Sequence, residues 1–130
     1  MRYEEITEES LCTMVDRFYE KVRADSVLGP IFNERITDWG PHLSTMYDFW
    51  HSVILARGRY KGSVMSAHIQ IPQISPDNIT RWLALFRETT EELFIDSLAW
   101  DIQAVAERIA KNIELGHAFY QSRLKEMAQG

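Results

Sequence analysis

Apolar residues recur at helical spacing along four long stretches of this chain, and that periodicity restricts the fold more than any other feature. The stretches cover roughly residues 7–24, 38–57, 76–93 and 97–120. A turn at residues 28–32 leads into a further short helical piece. The chain carries no hairpin signal, low-complexity run or internal repeat. We therefore predict an all-α fold built from four long helices.

One segment interrupts the helical pattern. Residues 58–76 contain two glycines and two prolines, so we predict only a short helix there, around residues 65–69. His68 lies in this segment, and its apolar neighbours Ile69 and Ile71 indicate that it packs inward. A histidine on a surface loop is the alternative, and for an isolated histidine it is the commoner case.

The composition limits the partners and the location of the protein. With 130 residues, of which 45% are hydrophobic, we expect one domain over residues 1–130. A net charge of −5 without a basic block argues against binding to nucleic acid or to an anionic membrane surface. No apolar run reaches the roughly 20 residues of a membrane span, and the N-terminal residues lack the apolar region of a signal peptide. Cys12 is the single cysteine, which fits a reducing compartment, so we expect a cytoplasmic protein and a monomer.

A second histidine, His42, shares a helical face with apolar residues. Met46, Phe49 and Trp50 follow it at helical offsets, which places all four side chains within an arc of about 100°. In one interpretation His42 faces a bound ligand, and in the other it is a partly buried structural residue. Spacing alone does not separate the two. The other two histidines are expected to be structural.

Two further residues, Tyr19 and Trp82, each place one hydrogen-bond donor on an otherwise apolar helical face. A buried tyrosine or tryptophan usually finds a partner for that donor, which is either a backbone carbonyl or a bound ligand. Haem iron takes a neutral imidazole as its fifth ligand, and the irregular segment around His68 offers carbonyls that would orient such a ring. An apolar slot with His68 on one side and His42 on the other therefore fits a haem. The haem would be held non-covalently, because the chain has no Cys-x-x-Cys-His motif.

Six short stretches occur in a characteristic order between residues 3 and 125. They are Phe18-Tyr19-Glu20-Lys21-Val22-Arg23, Leu28-Gly29-Pro30-Ile31-Phe32, His42 with Phe49-Trp50, Tyr60-Lys61-Gly62, Ala67-His68 and Arg81-Trp82-Leu83-Ala84-Leu85-Phe86. Each is weak alone, but the ordered set resembles the truncated haemoglobins, the bacterial two-over-two globins. The glycine pairs of the first two groups of that family are absent, so the chain is most similar to the third group.

The resemblance implies a two-over-two helical sandwich that encloses haem b. By this resemblance, His68 matches the proximal ligand of the haem iron, and Tyr19, His42 and Trp82 match the distal polar residues. The positions that pack on the haem or line its distal side are matched by Phe32, Met46 and Phe49.

The segment around His68 departs from the family in one position. Members often have a proline two residues after the glycine that matches Gly62, whereas this chain has Val64, and that loosens the loop before His68. No residue is assigned to the haem propionates by the resemblance. The candidates, which are cationic and lie near His68, are Arg57, Arg59 and Lys61.

The resemblance further implies haem-based binding of oxygen, nitric oxide and carbon monoxide, with bound oxygen stabilised by the distal polar residues. The alternative is an enzyme that turns over nitric oxide or peroxide on the same haem. Such an enzyme would need a separate reductase, because the chain has no Gly-x-Gly-x-x-Gly pattern. A helical interaction module without a cofactor would leave the irregular yet apolar segment 58–76 unexplained. Non-haem metal hydrolysis is disfavoured because no His-Glu-x-x-His motif is present.

Overall fold

The computed structural model describes residues 2–55 and 75–129, and five helices account for most of these residues. They are α1 (Glu8–Ala24), α2 (Leu28–Arg35), α3 (Trp39–Leu55), α4 (Pro76–Leu93) and α5 (Asp96–Gln129). The predicted all-α fold is therefore confirmed in the described part of the chain. The short helix predicted around residues 65–69 lies outside the described residues.

Side-chain caps begin α1 and α4 at residues that the sequence favours for this role. The Thr7 hydroxyl accepts a hydrogen bond from the Ser10 backbone N–H at 3.0 Å, and the Ser10 hydroxyl accepts one from the Thr7 N–H at 2.8 Å. The Ser75 hydroxyl accepts from the Asn78 N–H at 3.2 Å, with Pro76 in the first turn. Because these bonds satisfy N–H groups that no helical carbonyl reaches, they fix where both helices start.

Two helices extend further than the sequence pattern predicts. α2 is a helix of 8 residues where the sequence predicts a tight turn and a short helical piece. α5 continues to Gln129, beyond Tyr120, the last residue of its apolar stripe. All side chains from residue 122 to residue 128 are exposed, so local helical bonds rather than packing maintain this final part. No helix in the described residues is long and apolar enough to cross a membrane.

α1 packs against α2, α3 and α4, and α4 also packs against α5. This arrangement confirms the predicted two-over-two architecture. Backbone hydrogen bonds attach the N-terminal segment to the corner between α4 and α5. The Tyr3 N–H donates to the Leu93 carbonyl at 2.6 Å, and the Ile95 N–H donates to the Tyr3 carbonyl at 3.0 Å.

The centre of the core comes from α1, whose predicted apolar stripe faces inward. Leu11, Met14 and Val22 are fully buried, and Phe18 and Tyr19 are almost so. The largest fully buried side chains that join them from the α4–α5 side are Phe86, Phe94 and Ile102. Because Tyr19 lies on this stripe, its phenol is carried into the interior by the packing of α1.

Candidate functional site

Tyr19 lies at the centre of a cluster of rings contributed by three helices. Its ring centroid is 5.3 Å from that of His42, 5.7 Å from that of Trp39 and 6.2 Å from that of Phe32. The Tyr19 and His42 rings are nearly perpendicular, at 88°. α1, α2 and α3 therefore converge on one phenol, and the structure brings together three of the predicted site residues: Tyr19, His42 and Phe32.

The environment of Tyr19 keeps its hydroxyl protonated. The side chain is 6% exposed, and burial raises the pKa of the phenol well above its usual value of about 10. Burial alone accounts for this rise, because no hydrogen bond or charge among the described residues contributes to it. The hydroxyl is thus a neutral donor in an apolar surrounding at any physiological pH.

His42 lies in the first turn of α3 and turns its ring towards Tyr19. Its side chain is half-buried, and its Nε2 atom is fully buried. The ring also meets Trp39 edge-to-face, with centroids 5.5 Å apart and planes at 90°. Because a neutral imidazole carries one donor and one acceptor, His42 adds a second polar group beside the phenol. The structure places this histidine against Tyr19 as part of the cluster, with its Nε2 atom buried.

Trp82 on α4 lies one ring away from Tyr19. Its indole stacks on Phe86 with centroids 5.6 Å apart and planes at 6°, and it meets the edge of Phe18 at 5.3 Å. Phe18 in turn contacts Tyr19, with centroids 5.1 Å apart. Among the predicted distal residues, Trp82 is therefore linked to Tyr19 through the Phe18 ring.

The remaining predicted lining residues form an apolar wall on α3. Met46 and Phe49 are buried, at 9% and 8% exposed, one and two turns after His42. Phe49 packs on Trp50, whose indole stacks on Phe86 at 5.1 Å. The polar groups of the site therefore stand against hydrophobic side chains, where a hydrogen bond is stronger than it would be in water.

The predicted iron ligand, His68, lies outside the described residues. The same is true of Gly62 and Val64 and of the three candidate propionate partners, Arg57, Arg59 and Lys61. Their roles stay predictions from the resemblance.

An ion pair fixes the helices that carry Phe32 and Trp82. The Asp25 carboxylate accepts hydrogen bonds from the backbone of Val27 at 3.0 Å and Leu28 at 2.9 Å, at the start of α2, and from Arg81 Nε on α4 at 2.6 Å. The bond from Arg81 is the largest cause that lowers the Asp25 pKa to about 2. One carboxylate thus joins the α1–α2 corner to α4.

Two residues beside the cluster, Trp39 and Arg23, are not among the site residues predicted from the sequence. The Trp39 ring contacts both Tyr19 and His42, and the Arg23 guanidinium lies over the Trp39 ring, 4.5 Å from its centroid. A weak signal was present in the spacing, because Trp39 precedes His42 by three residues and Arg23 follows Tyr19 by four. Each pair therefore shares a helical face.

His51 lies on a different side of α3 and has a structural role. It is 3% exposed, its Nε2 atom lies 3.2 Å from the Glu8 carbonyl oxygen, and the Cys12 sulfur is 4.0 Å away. These contacts attach α3 to the first turns of α1. Within residues 2–55 and 75–129, no group of three or more histidine, cysteine or acidic side chains is arranged to hold a metal ion.

Two comparisons place this geometry among known proteins. The chain is 32% identical over 118 residues to the group 3 truncated hemoglobin ctb of Campylobacter jejuni subsp. jejuni serotype O:2, covering 88% of this chain and 93% of that relative. It is also similar to the crystal structure of group III truncated hemoglobin from Campylobacter jejuni, with a TM-score of 0.83, 32% identity and the same coverage. No protein-family model matches the chain.

Proposed function

This chain belongs to the truncated haemoglobins, most closely to their third group, and from this premise we propose that it binds oxygen and other diatomic ligands at a non-covalently held haem b. A globin-type role in binding ligands at haem iron follows from the family. The finer proposal is that Tyr19, His42 and Trp82 form a polar distal pocket that stabilises the ligand, and that His68 holds the iron.

The single observation that carries the proposal is the buried Tyr19 hydroxyl, a donor inside an apolar ring cluster. Burial alone raises its pKa, and no described residue contributes a hydrogen bond to that rise. A haem beside this cluster would supply an iron with an open position for a diatomic gas. Phe32, Met46 and Phe49 offer the apolar surface that a macrocycle needs. The residues present therefore fit the group that the family implies.

The polar residues have separable roles in this proposal. Tyr19 donates from its hydroxyl, and His42, in ring contact with it, supplies a second donor when its tautomer places hydrogen on the inward nitrogen. Trp82 contributes an indole N–H from α4, where its ring contacts Phe18. A hydrogen bond to a ligand that carries negative charge contributes about 1.5–3 kcal/mol, and ~1.4 kcal/mol is a factor of ten in an equilibrium constant. Oxygen should therefore leave slowly, whereas the less polar carbon monoxide gains less.

Tyr19→Phe tests this role, because it keeps the ring and removes only the donor. We expect the oxygen dissociation rate to rise by roughly tenfold or more, from the loss of about 1.5–3 kcal/mol. The carbon monoxide dissociation rate should change much less. Stopped-flow replacement of each ligand measures both rates. Tyr47→Phe is the matched control, since the Tyr47 hydroxyl donates to Asp16 and has no ring contact with Tyr19 among the described residues. An unchanged oxygen rate in Tyr19→Phe would remove the phenol from this role.

The contact between Tyr19 and His42 also favours a second candidate function. Two polar groups side by side can pass a proton to a ligand, which suits turnover of nitric oxide or peroxide with electrons from a separate reductase. Repeated turnover distinguishes this enzyme from a ligand binder. With excess reductant, and with oxygen as the oxidant of nitric oxide, the enzyme consumes many equivalents of nitric oxide or peroxide, whereas a binder stops after one.

A further inference from the structure

Trp39 contacts both the exposed Arg23 and the buried Tyr19, and so links the surface to the ring cluster. Three side chains form a graded series from solvent to interior: Arg23 is exposed, Trp39 is half-buried and Tyr19 is 6% exposed. The Trp39 centroid lies 5.7 Å from that of Tyr19 and 5.5 Å from that of His42, and the latter two rings are themselves 5.3 Å apart. The three rings therefore form a closed triangle in which each contacts the other two.

Two residues of α1 contact the Trp39 indole. Tyr19 and Arg23 are one helical turn apart on that helix, and Trp39, at the start of α3, contacts both of them. The Arg23 guanidinium lies 4.5 Å from the Trp39 centroid, within the range of a cation–π interaction. An outward swing of Trp39 would therefore break its contact with Arg23 and its ring contact with His42.

We propose that Trp39, clamped by Arg23, is a positioning residue that keeps His42 against Tyr19 and sets the rate at which a diatomic ligand enters and leaves the pocket. This inference rests on the proposed haem function and adds a residue pair to it. Trp39 acts through His42 and Tyr19, whose rings it contacts, and not through the ligand. The Arg23–Trp39 pair thus sets the free-energy barrier to ligand passage, whereas the distal donors determine the stability of the bound ligand.

A barrier and a hydrogen bond leave different kinetic signatures. A group that obstructs the path without touching the bound ligand slows entry and escape by the same factor, so the equilibrium affinity does not change. A group that donates a hydrogen bond to the bound ligand changes only the dissociation rate. Carbon monoxide is the appropriate probe, because it accepts only weak hydrogen bonds and so reports passage through the pocket.

Trp39→Ala tests the inference in the haem-loaded protein. We expect the carbon monoxide association rate after flash photolysis to rise about tenfold, which is the effect of ~1.4 kcal/mol on the barrier. The dissociation rate should rise by the same factor, so that the dissociation constant stays within about twofold. Trp39→Phe keeps an aromatic ring between Arg23 and His42. Both carbon monoxide rates in this variant should therefore stay close to those of the unsubstituted protein. Trp100→Ala is the matched control, because Trp100 is a 61% exposed indole on α5.

Arg23→Gln tests the clamp without removing a ring from the cluster. An exposed cation–π contact contributes about 0.5–1 kcal/mol, so both carbon monoxide rates should rise roughly two- to fivefold. Arg23→Lys keeps the cation and should lie closer to the unchanged protein. Because Arg23 is exposed, we expect these variants to retain the fold, and they decide the question if Trp39→Ala does not fold.

Two results would overturn the inference while leaving the proposed haem function intact. Rates that stay unchanged in Trp39→Ala and in Arg23→Gln would show that ligands pass elsewhere. A change in dissociation alone would show that Trp39 acts on the bound ligand and not on its passage. Failure of the unsubstituted protein to take up haem is a different result, which overturns the proposed function itself and is visible before any variant is made.

Discussion

At the scale of single residues, hydrogen-bond donors are held in place by rings. Tyr19 is fixed by His42, Trp39 and Phe32, and its burial keeps the phenol protonated. Trp82 is fixed by its stack on Phe86. Aromatic contacts of this kind add about 0.5–1.5 kcal/mol beyond the buried area, and rigid neighbours reduce the entropy that a donor loses when it binds a ligand.

Trp82→Phe separates the indole donor from the indole ring, because phenylalanine keeps the contacts with Phe86 and Phe18. We expect the oxygen dissociation rate to rise several-fold, but less than in Tyr19→Phe, since Trp82 is linked to the Tyr19 cluster through the Phe18 ring. Trp50→Phe is the control, because Trp50 also stacks on Phe86 and has no assigned role as a donor. Equal oxygen rates in Trp82→Phe and the parent protein would make Trp82 a core residue only.

At the scale of elements, the site depends on how α2 and α4 are attached to α1. Gly29 brings α2 against the last turn of α1, and Asp25 attaches α4 to the same corner. These two contacts position Phe32 and Trp82, so a substitution at Gly29 or at Asp25 should disturb the ring cluster around Tyr19, where we propose the distal pocket.

Gly29→Ala tests the close approach of α2 to α1. An added Cβ would lie 2.7 Å from the Arg23 backbone oxygen, so the helices must shift. Alanine is the better helix former, but a backbone atom cannot move aside as easily as a flexible side chain. We therefore expect a loss of about 1–3 kcal/mol in the free energy of unfolding. Gly40→Ala is the control, since its Cβ would come no closer than 3.7 Å to the nearest side chain. Urea titration of both variants measures the difference, and equal stabilities would contradict the account.

Asp25→Asn tests the attachment of α4 and its dependence on pH. The pKa of Asp25 is lowered from 3.8 to about 2, mainly by Arg81, so the pair stabilises the folded chain when the carboxylate is charged. We expect the substitution to lower the free energy of unfolding by about 1–2 kcal/mol at neutral pH. The stabilisation is complete above pH 3.8, the value for the unfolded chain, and is lost as the pH falls through about 2.

The matched control for Asp25→Asn is Asp38→Asn, because Asp38 is exposed and accepts one backbone hydrogen bond from Gly40. Chemical denaturation of both variants from pH 7 downwards measures the difference at each pH. A deficit in Asp25→Asn that persists undiminished at pH 2 would show that the ion pair is not its cause.

At the scale of the whole molecule, local sequence signals predict the helices better than they predict the site. The inward stripe of α1 and the caps at Thr7 and Ser75 depend on spacing and short-range hydrogen bonds, and both follow from the chain alone. The full extent of α5 does not, because its final residues carry no apolar stripe that marks an end. The resemblance predicts Tyr19, His42 and Phe32 as site residues, and the packing of three helices brings them together.

The Arg23–Trp39 contact cannot be predicted from the sequence pattern of either helix alone. Each residue shares a helical face with a predicted site residue, but the stack between them joins the end of α1 to the start of α3. Its existence depends on where two helix ends meet, which spacing within either helix does not encode.

The absorption spectrum of the purified protein tests most directly whether the chain binds haem through His68. It is recorded for the parent protein and for His68→Gly, each as isolated, after dithionite and after exposure to air. We predict a strong Soret band in the parent protein that shifts on reduction and again with oxygen. In His68→Gly this behaviour should be lost and then restored by added imidazole, whereas His117→Ala, a change on α5, should leave it unaltered. A colourless protein that takes up no added haemin would contradict the haem function, and a His68→Gly variant with the parent spectrum would contradict the assigned iron ligand.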